Sequence, residues 1–330
     1  MKLSLVIPMY NEQEMVPHLL STLRSILAPL ACEYEIVFVN DGSKDATLQL
    51  LVDAAASDYR IKVVGLSRNF GQQIAITAGL DMACGDAVIV MDADLQDPPD
   101  LIPRMLELHE QGYDVVSPQR VSREKDGLLK RTTASGFYWI MKRIDPRFLP
   151  EVGDFRLLSS AALTVIRQYR ERHRFLRGLI ASMGLKEAVI PFDRKSRIAG
   201  QTKYPMSKML KFAWTAITSF SGLPLRLVMG MGFILTALAF LGTLYVLYSA
   251  LVLHDVVPGW TSMIVVQTIF SGAILISVGV VGDYVSRIYE EMKGRPLYIV
   301  NEAVNLDEVE QPRRCVVLTR PRSGIGVSGR

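Results

Sequence analysis

Two stretches of this chain, 227–253 and 262–282, contain no Asp, Glu, Lys or Arg. Each exceeds the roughly 18 apolar-dominated residues that mark a helix able to cross a bilayer. Gly230, Gly232, Gly242, Gly272, Gly279 and Gly282 would weaken a helix in water but are common in spanning ones. A buried soluble hairpin is the alternative, and two such runs in one tail speak against it. Whatever else this chain folds must therefore sit beside a membrane. The link 254–261 lacks Lys and Arg, whereas Lys208, Lys211 and Arg226 precede the first run and Arg287, Lys293 and Arg295 follow the second. Basic flanks are retained on the cytoplasmic side. Both termini and the whole of the chain before the first run are thus expected in the cytoplasm, with two spans in the inner (plasma) membrane.

The sequence divides accordingly. We expect a cytoplasmic domain over 1–204, an interfacial amphipathic helix over 205–222, transmembrane helices over 223–253 and 262–282, a second interfacial helix over 283–295, and a partly disordered cytoplasmic tail over 296–330. In the first interfacial segment, Met206, Met209, Leu210, Ala213, Trp214, Ile217 and Phe220 share one helical face, with Lys208 and Lys211 on another. Packing of this helix on the soluble domain is the alternative.

Before the tail, strand-like and helix-like segments alternate. Strands are predicted at 3–7, 35–39, 62–66, 87–91 and 114–117, and helices at 12–27, 45–56, 71–82 and 101–111. Alternation of this kind means βαβ units and a mostly parallel α/β sheet flanked by helices. The segment 3–7 is too short for the apolar core of a signal peptide and reads as the first strand.

The fourth predicted strand ends in Asp92-Ala93-Asp94-Leu95-Gln96-Asp97-Pro98-Pro99. Open α/β sheets bind ligands at the carboxyl ends of their strands. Two carboxylates one residue apart repel unless a proton or cation intervenes, and hard oxygen ligands suit Mg²⁺ or Mn²⁺, which usually also hold substrate phosphates. A solvated Asp-rich turn is the plain alternative. The first strand ends in Pro8-Met9-Tyr10-Asn11-Glu12 and the second in Val39-Asn40-Asp41-Gly42-Ser43, on the same sheet edge. Asp41 could accept from the N–H of a uracil or guanine edge, and Glu12 could hold ribose hydroxyls; turn and capping chemistry is the alternative for both.

Several classes drop out. Gly-x-x-x-x-Gly-Lys-Ser/Thr does not occur, and Gly-x-Gly-x-x-Gly occurs only at Gly324–Gly329, beyond both apolar runs and at none of the strand-to-helix corners, which argues against an NAD enzyme or a P-loop ATPase. A net charge of +4 on 330 residues implies no nucleic-acid partner. Cys32, Cys84 and Cys315 show neither metal-ligand spacing nor a disulfide framework.

Together the motifs resemble family 2 glycosyltransferases: Pro-x-Tyr-Asn-Glu, Asn-Asp-Gly-Ser, Ser67-Arg68-Asn69-Phe70-Gly71, Asp-Ala-Asp-Leu-Gln-Asp-Pro-Pro, Gly153-Asp154-Phe155-Arg156-Leu157, and Arg197-Ile198-Ala199-Gly200-Gln201-Thr202-Lys203-Tyr204. With two terminal spans the chain is similar to the bacterial polyprenyl-phosphate (bactoprenol) glucosyltransferases, relatives of the dolichyl-phosphate mannose synthases. Asn40 stands where many members carry Asp. The resemblance implies a nucleotide-binding GT-A-like fold and a Mg²⁺ or Mn²⁺ cofactor. It also implies a nucleotide-sugar donor, a polyprenyl-phosphate acceptor, a bilayer, and a homo-oligomer, a tetramer in relatives. It implies that Pro8, Tyr10, Glu12, Val39, Asp41 and Ala93 frame the nucleotide and that Asp92, Asp94 and Gln96 surround the metal. Arg120, Arg131, Ser135, Arg197 and Lys203 would meet donor or acceptor phosphates, and Asp154 takes the position of the catalytic base. Glucose from UDP-glucose is the expected donor; GDP-mannose and UDP-N-acetylglucosamine are alternatives. A polysaccharide synthase of the same fold would need more spans and a Gln-x-x-Arg-Trp motif, both missing here. A membrane-tethered nucleotide-sugar sensor or flippase accessory is the non-enzymatic alternative and would not need Asp154.

Overall fold

The computed structural model describes residues 1–121, 142–143, 146, 149–192, 218, 221–248, 259–306 and 315–317. The chain forms two compact units, 1–210 with 294–330, and 211–293.

The first unit begins with β1 (Lys2–Met9), α1 (Met15–Leu27), β2 (Glu33–Asn40), α2 (Thr47–Ser57), β3 (Ile61–Leu66), α3 (Gln72–Met82) and β4 (Ala87–Val90). Every predicted strand and helix of this stretch is found, displaced by three residues or fewer at its ends. These strands run parallel in the spatial order β3-β2-β1-β4. Successive strands step outward from β1 to β3, then β4 returns to the other side of β1. That reversal makes a topological switch point between β1 and β4, where a doubly wound sheet opens a crevice at its carboxyl edge. Leu3, Leu5, Val6, Ile7 and Met9 are all buried, as expected for a central strand covered on both faces. Gly79 of α3 lets that helix approach β1: a Cβ there would lie 2.3 Å from Val6 Cγ1.

Next come a 3₁₀ turn (Pro99–Leu101), α4 (Ile102–Glu110), β5 (Val115–Arg120), β6 (Arg156–Ser159), α5 (Ser160–Gln168), α6 (Leu176–Ser182) and β7 (Glu187–Phe192). β6 inserts antiparallel between β4 and β5, and β7 pairs parallel to β5. The Ser159 hydroxyl caps α5 by accepting from the Ala162 N–H at 3.1 Å. The GT-A-like α/β fold expected of the sequence is therefore present, as a mixed sheet with parallel pairing in its first half.

The sequence reading treats 296–330 as a tail. In the structure β8 (Tyr298–Val304) pairs antiparallel with β3, and β9 (Cys315–Val317) pairs parallel with β8, so the sheet is extended by residues that follow the apolar helices. Tyr298 is fully buried, and its hydroxyl donates to Asp81 Oδ2 at 2.7 Å.

In the second unit α7 (Leu223–Tyr248) and α8 (Trp260–Met292) are long and apolar enough to cross a membrane. The Tyr284 hydroxyl donates to the Ser221 carbonyl at 2.9 Å. The predicted second interfacial helix is not separate: α8 runs unbroken through Gly282 to Met292. Its first charged residues form an Asp283–Arg287 pair one turn apart (3.0 Å), which supports the helix instead of ending it. Most of the predicted first interfacial helix, 205–222, lies outside the described residues.

Candidate active site

Strand register alone assembles the site. β1 and β4 pair with Val6 opposite Val90, so the ladder continued past its end brings Pro8 beside Asp92. β4 and β6 pair with Val90 opposite Arg156, and the same continuation sets Asp92 facing Asp154. Asp41 follows the last residue of β2 and is fixed there by its N–H, which donates to the Met9 carbonyl at 2.9 Å. Four segments remote in sequence, those carrying Pro8, Asp41, Asp92 and Asp154, thus converge on one sheet edge.

The first two corners are stitched together. The Asn11 N–H donates to Ser43 Oγ (2.9 Å), the Lys44 N–H to Asn11 Oδ1 (2.8 Å) and the Glu12 N–H to Thr47 Oγ1 (2.9 Å). Asn11 reaches this geometry at a φ of 52°, a left-handed conformation that Asn tolerates better than most residues. Gly42 has no substitute: at φ 65° its missing Cβ would lie 2.4 Å from the Arg68 carbonyl carbon. This close approach brings the 67–71 loop against the second corner. Asp41 then accepts from the Phe70 N–H (2.7 Å) and the Gly71 N–H (2.9 Å). Burial pushes the Asp41 carboxyl above its ordinary range, against the opposing pull of those N–H groups and Arg68. Val39 and Ala93 are buried beneath the edge, while Pro8, Tyr10 and Glu12 are half-buried at it.

The acidic corner concentrates negative charge. Leu95, between Asp94 and Gln96, is held at φ 52°, a conformation unfavourable for a branched side chain. The Gln96 N–H donates to Asp94 Oδ1 at 3.1 Å and closes the turn. Part of Asp92 faces solvent, yet its surroundings are dense. Desolvation first, then the carboxylates of Asp97, Asp154 and Asp94, push its carboxyl up to about 8, with Arg177 opposing. Gln72 Nε2 donates to Asp92 Oδ1 at 2.8 Å. Asp97 is 2% exposed and pairs with Arg120 Nη2 at 3.5 Å.

No group of three or more His, Cys, Asp or Glu among the described residues is arranged to hold a metal ion alone. Two carboxylates and an amide fit the habit of Mg²⁺ and Mn²⁺, which take one or two carboxylates and leave the remaining positions to water and phosphates. The mutual repulsion around Asp92 is what a divalent cation would relieve.

Asp154 is 8% exposed. Its Oδ1 accepts from Arg177 Nε at 2.8 Å and its Oδ2 from Gln73 Nε2 at 3.1 Å. Burial alone would push this carboxyl up; the charge and hydrogen bond of Arg177, with Arg156 and Gln73, outweigh it and hold it below the ordinary range. Arg156 is itself buried and donates from Nη2 to the Gly153 carbonyl at 2.9 Å.

Of the residues singled out from sequence, the structure brings Pro8, Tyr10, Glu12, Val39, Asp41, Asp92, Ala93, Asp94, Gln96, Arg120 and Asp154 to this edge. Arg131, Ser135, Arg197 and Lys203 lie outside the described residues. Sequence reasoning missed Gln72, Gln73, Asp97, Arg156 and Arg177. Asp97 and Arg156 sit inside motifs already noted, and the two glutamines directly follow one. Arg177 shares a stretch with Arg170, Arg172 and Arg174, so nothing in the sequence sets it apart.

Residues 4–164 match the family described as glycosyl transferase family 2. YkcC of Bacillus subtilis (strain 168), an uncharacterized glycosyltransferase, is 41% identical over 305 residues, spanning 92% of this chain and 94% of its own. The uncharacterized glycosyltransferase sll0501 of Synechocystis sp. (strain ATCC 27184 / PCC 6803 / Kazusa) is 44% identical over 93% of this chain and 96% of its own. The prophage bactoprenol glucosyl transferase homolog of Escherichia coli (strain K12) is 40% identical over 301 residues, 91% of this chain and 98% of its own. With this extent of identity over nearly the whole of each sequence, the chain belongs to glycosyltransferase family 2.

Proposed function

We propose that this protein transfers glucose from UDP-glucose to undecaprenyl (polyprenyl) phosphate, with inversion at the anomeric carbon. The transfer takes place at the cytoplasmic face of the membrane and gives a lipid-linked sugar for modification of envelope glycans. One observation carries the reading. The likeness to a bactoprenol glucosyl transferase homolog leaves so little of either chain uncovered that it includes the acidic corner and both apolar helices. A lipid acceptor explains why a soluble nucleotide-binding sheet is tied to such a tail.

The chain's own residues divide the work. Pro8, Tyr10, Glu12, Val39, Asp41 and Ala93 receive the nucleoside; Asp41 oxygens each keep a second lone pair for the base beside the Phe70 and Gly71 bonds. Asp92, Asp94 and Gln96 would hold Mg²⁺ or Mn²⁺, which when bound stabilises negative charge on the leaving diphosphate. Arg120, Arg131, Ser135, Arg197 and Lys203 receive phosphate groups of donor and acceptor. The acceptor's second pKa lies near ~6, so at neutral pH it is mostly dianionic and needs little help losing a proton. Asp154, already ionised and hydrogen-bonded through both oxygens, suits the task of orienting more than that of accepting a proton.

Purified protein given radiolabelled UDP-glucose, Mn²⁺ and undecaprenyl phosphate is expected to yield a labelled lipid. GDP-mannose and UDP-N-acetylglucosamine should react at least ~10-fold more slowly, the lower scale of discrimination by pocket contacts. Faster transfer from another donor would replace glucose in this reading; no labelled lipid from any donor would sink the acceptor assignment.

The orientation has its own check. With Cys32, Cys84 and Cys315 replaced by Ser, an impermeant thiol reagent on intact cells should label Ser262→Cys. It should leave Ser43→Cys unlabelled until the cells are lysed. The opposite pattern would place the sheet outside.

A further inference from the structure

Two adjacent side chains in the first turn of α3 hold two different carboxylates. Gln72 donates to Asp92, and Gln73 donates to Asp154. Gln73 does more: its Oε1 accepts from the Leu176 N–H at 2.9 Å. A backbone N–H can only donate, so the amide oxygen must face Leu176 and the NH₂ must face Asp154. The residue after Leu176 is Arg177, whose Nε reaches the other oxygen of Asp154 at 2.8 Å. A closed ring results, from Asp154 Oδ2 through Gln73 and Leu176 to Arg177 and back to Asp154 Oδ1.

The ring fixes something the covalent chain does not. An Asp carboxyl turns about its last torsion with broad freedom. Left with Arg177 alone, it could swing both oxygens onto the guanidinium, the favoured two-pronged pairing. Gln73 takes one oxygen away from Arg177 and so sets the plane of the carboxylate. Stability gives little reason for such an arrangement, since a buried ion pair is often matched or bettered by apolar packing. The need for it lies in where Asp154 stands, opposite Asp92 across the β4–β6 register.

We propose that Gln73 and Arg177 are positioning residues for the transfer: they set the orientation of the Asp154 carboxylate through both of its oxygens and act on the reaction through Asp154 alone. This rests on the reading that Asp154 works at the acceptor phosphate.

The test is a double-mutant cycle on the full-length protein, with kcat, donor KM and thermal unfolding measured for each variant. Gln73→Met keeps the length of the side chain and removes both polar groups. It is expected to lower kcat by ~10²-fold, the scale of a misplaced reacting group, with donor KM near wild type and the unfolding temperature lowered by ~2–10 °C, because the Leu176 N–H and one Asp154 oxygen lose their partner. Asp154→Asn is expected to lower kcat by at least ~10²-fold. The double variant should match Asp154→Asn alone, because a residue that acts only through Asp154 has nothing left to lose. A merely structural Gln73 would instead lower activity by the same factor in both backgrounds, and that result overturns the inference while leaving the role of Asp154 intact. Wild-type kcat in Gln73→Met overturns it equally. Full turnover of Asp154→Asn sinks the reading of Asp154 itself and the inference with it. Should Gln73→Met not fold, Arg177→Gln takes its place in the cycle and is read the same way.

Discussion

A chain ending at Met292 is expected to lose its folded catalytic unit, although every sequence motif of the active site precedes that point. Leu297, Tyr298, Val300 and Val304 are buried in the first unit. At about 1.5–3 kcal/mol for each fully buried large apolar side chain, their removal costs roughly 6–12 kcal/mol. A whole domain is stable by only about 5–15 kcal/mol. Polar losses add to this. Asp81 is 3% exposed and accepts from Arg170 Nη1 and Nη2 (2.7 and 3.0 Å) as well as from the Tyr298 hydroxyl. Asn305 Nδ2 donates to the carbonyls of Ala55 and Ile61, the end of α2 and the start of β3. Truncation would also turn β3, buried along its whole length, into an open edge ready to pair with other chains. The measurement is detergent-extracted yield and thermal unfolding of 1–292 beside the full chain. A cooperative transition within ~5 °C of the full chain would show that β8 is an accessory. Tyr298→Phe separates the two contributions: it keeps the packing, leaves Asp81 one donor short and should cost about 1–3 kcal/mol, or roughly 2–4 °C for each kcal/mol.

That return strand also marks where the sequence stops being legible. The first four strands and their helices are readable because each strand is a run of apolar residues bounded by turn chemistry, and because consecutive parallel strands need a helix between them. β8 carries Asn301 and Glu302 in its middle and follows a helix long enough to span a membrane, so it reads as the start of a polar tail. What makes it a strand is a partner more than two hundred residues earlier. β6 is legible for a similar reason only in retrospect: Arg156–Ser159 offers two leucines between polar ends, and its identity comes from lying between β4 and β5. At the site, the corners are readable because strand ends carry their chemistry in consecutive residues. Gln72, Gln73 and Arg177 are not, because a polar residue on a helix looks the same whether it faces solvent or a carboxylate across the fold.

Asp94→Ala should abolish transfer while leaving the fold in place. Asp94 is only half-buried, and its bond to the Gln96 N–H closes a turn already shaped by the backbone. Its loss to the fold is therefore small, and by removing one of the carboxylates that push Asp92 upward it relieves repulsion. Its loss to the reaction is large on the reading that Asp92 and Asp94 hold a divalent cation against the donor diphosphate. A bound metal contributes several kcal/mol of charge stabilisation at the transition state. Each 1.36 kcal/mol is tenfold in rate, so turnover should fall by at least ~10³-fold. A second readout does not depend on activity. Mn²⁺ with UDP should raise the unfolding temperature of the wild type by mass action on the folded state, and raise that of Asp94→Ala far less. If the cation is the whole of Asp94's contribution, excess EDTA lowers the wild type to the level of Asp94→Ala and lowers the variant no further. Turnover of Asp94→Ala near wild type in EDTA would show that the acidic corner serves the fold and that charge on the leaving diphosphate is met by the arginines and lysine instead.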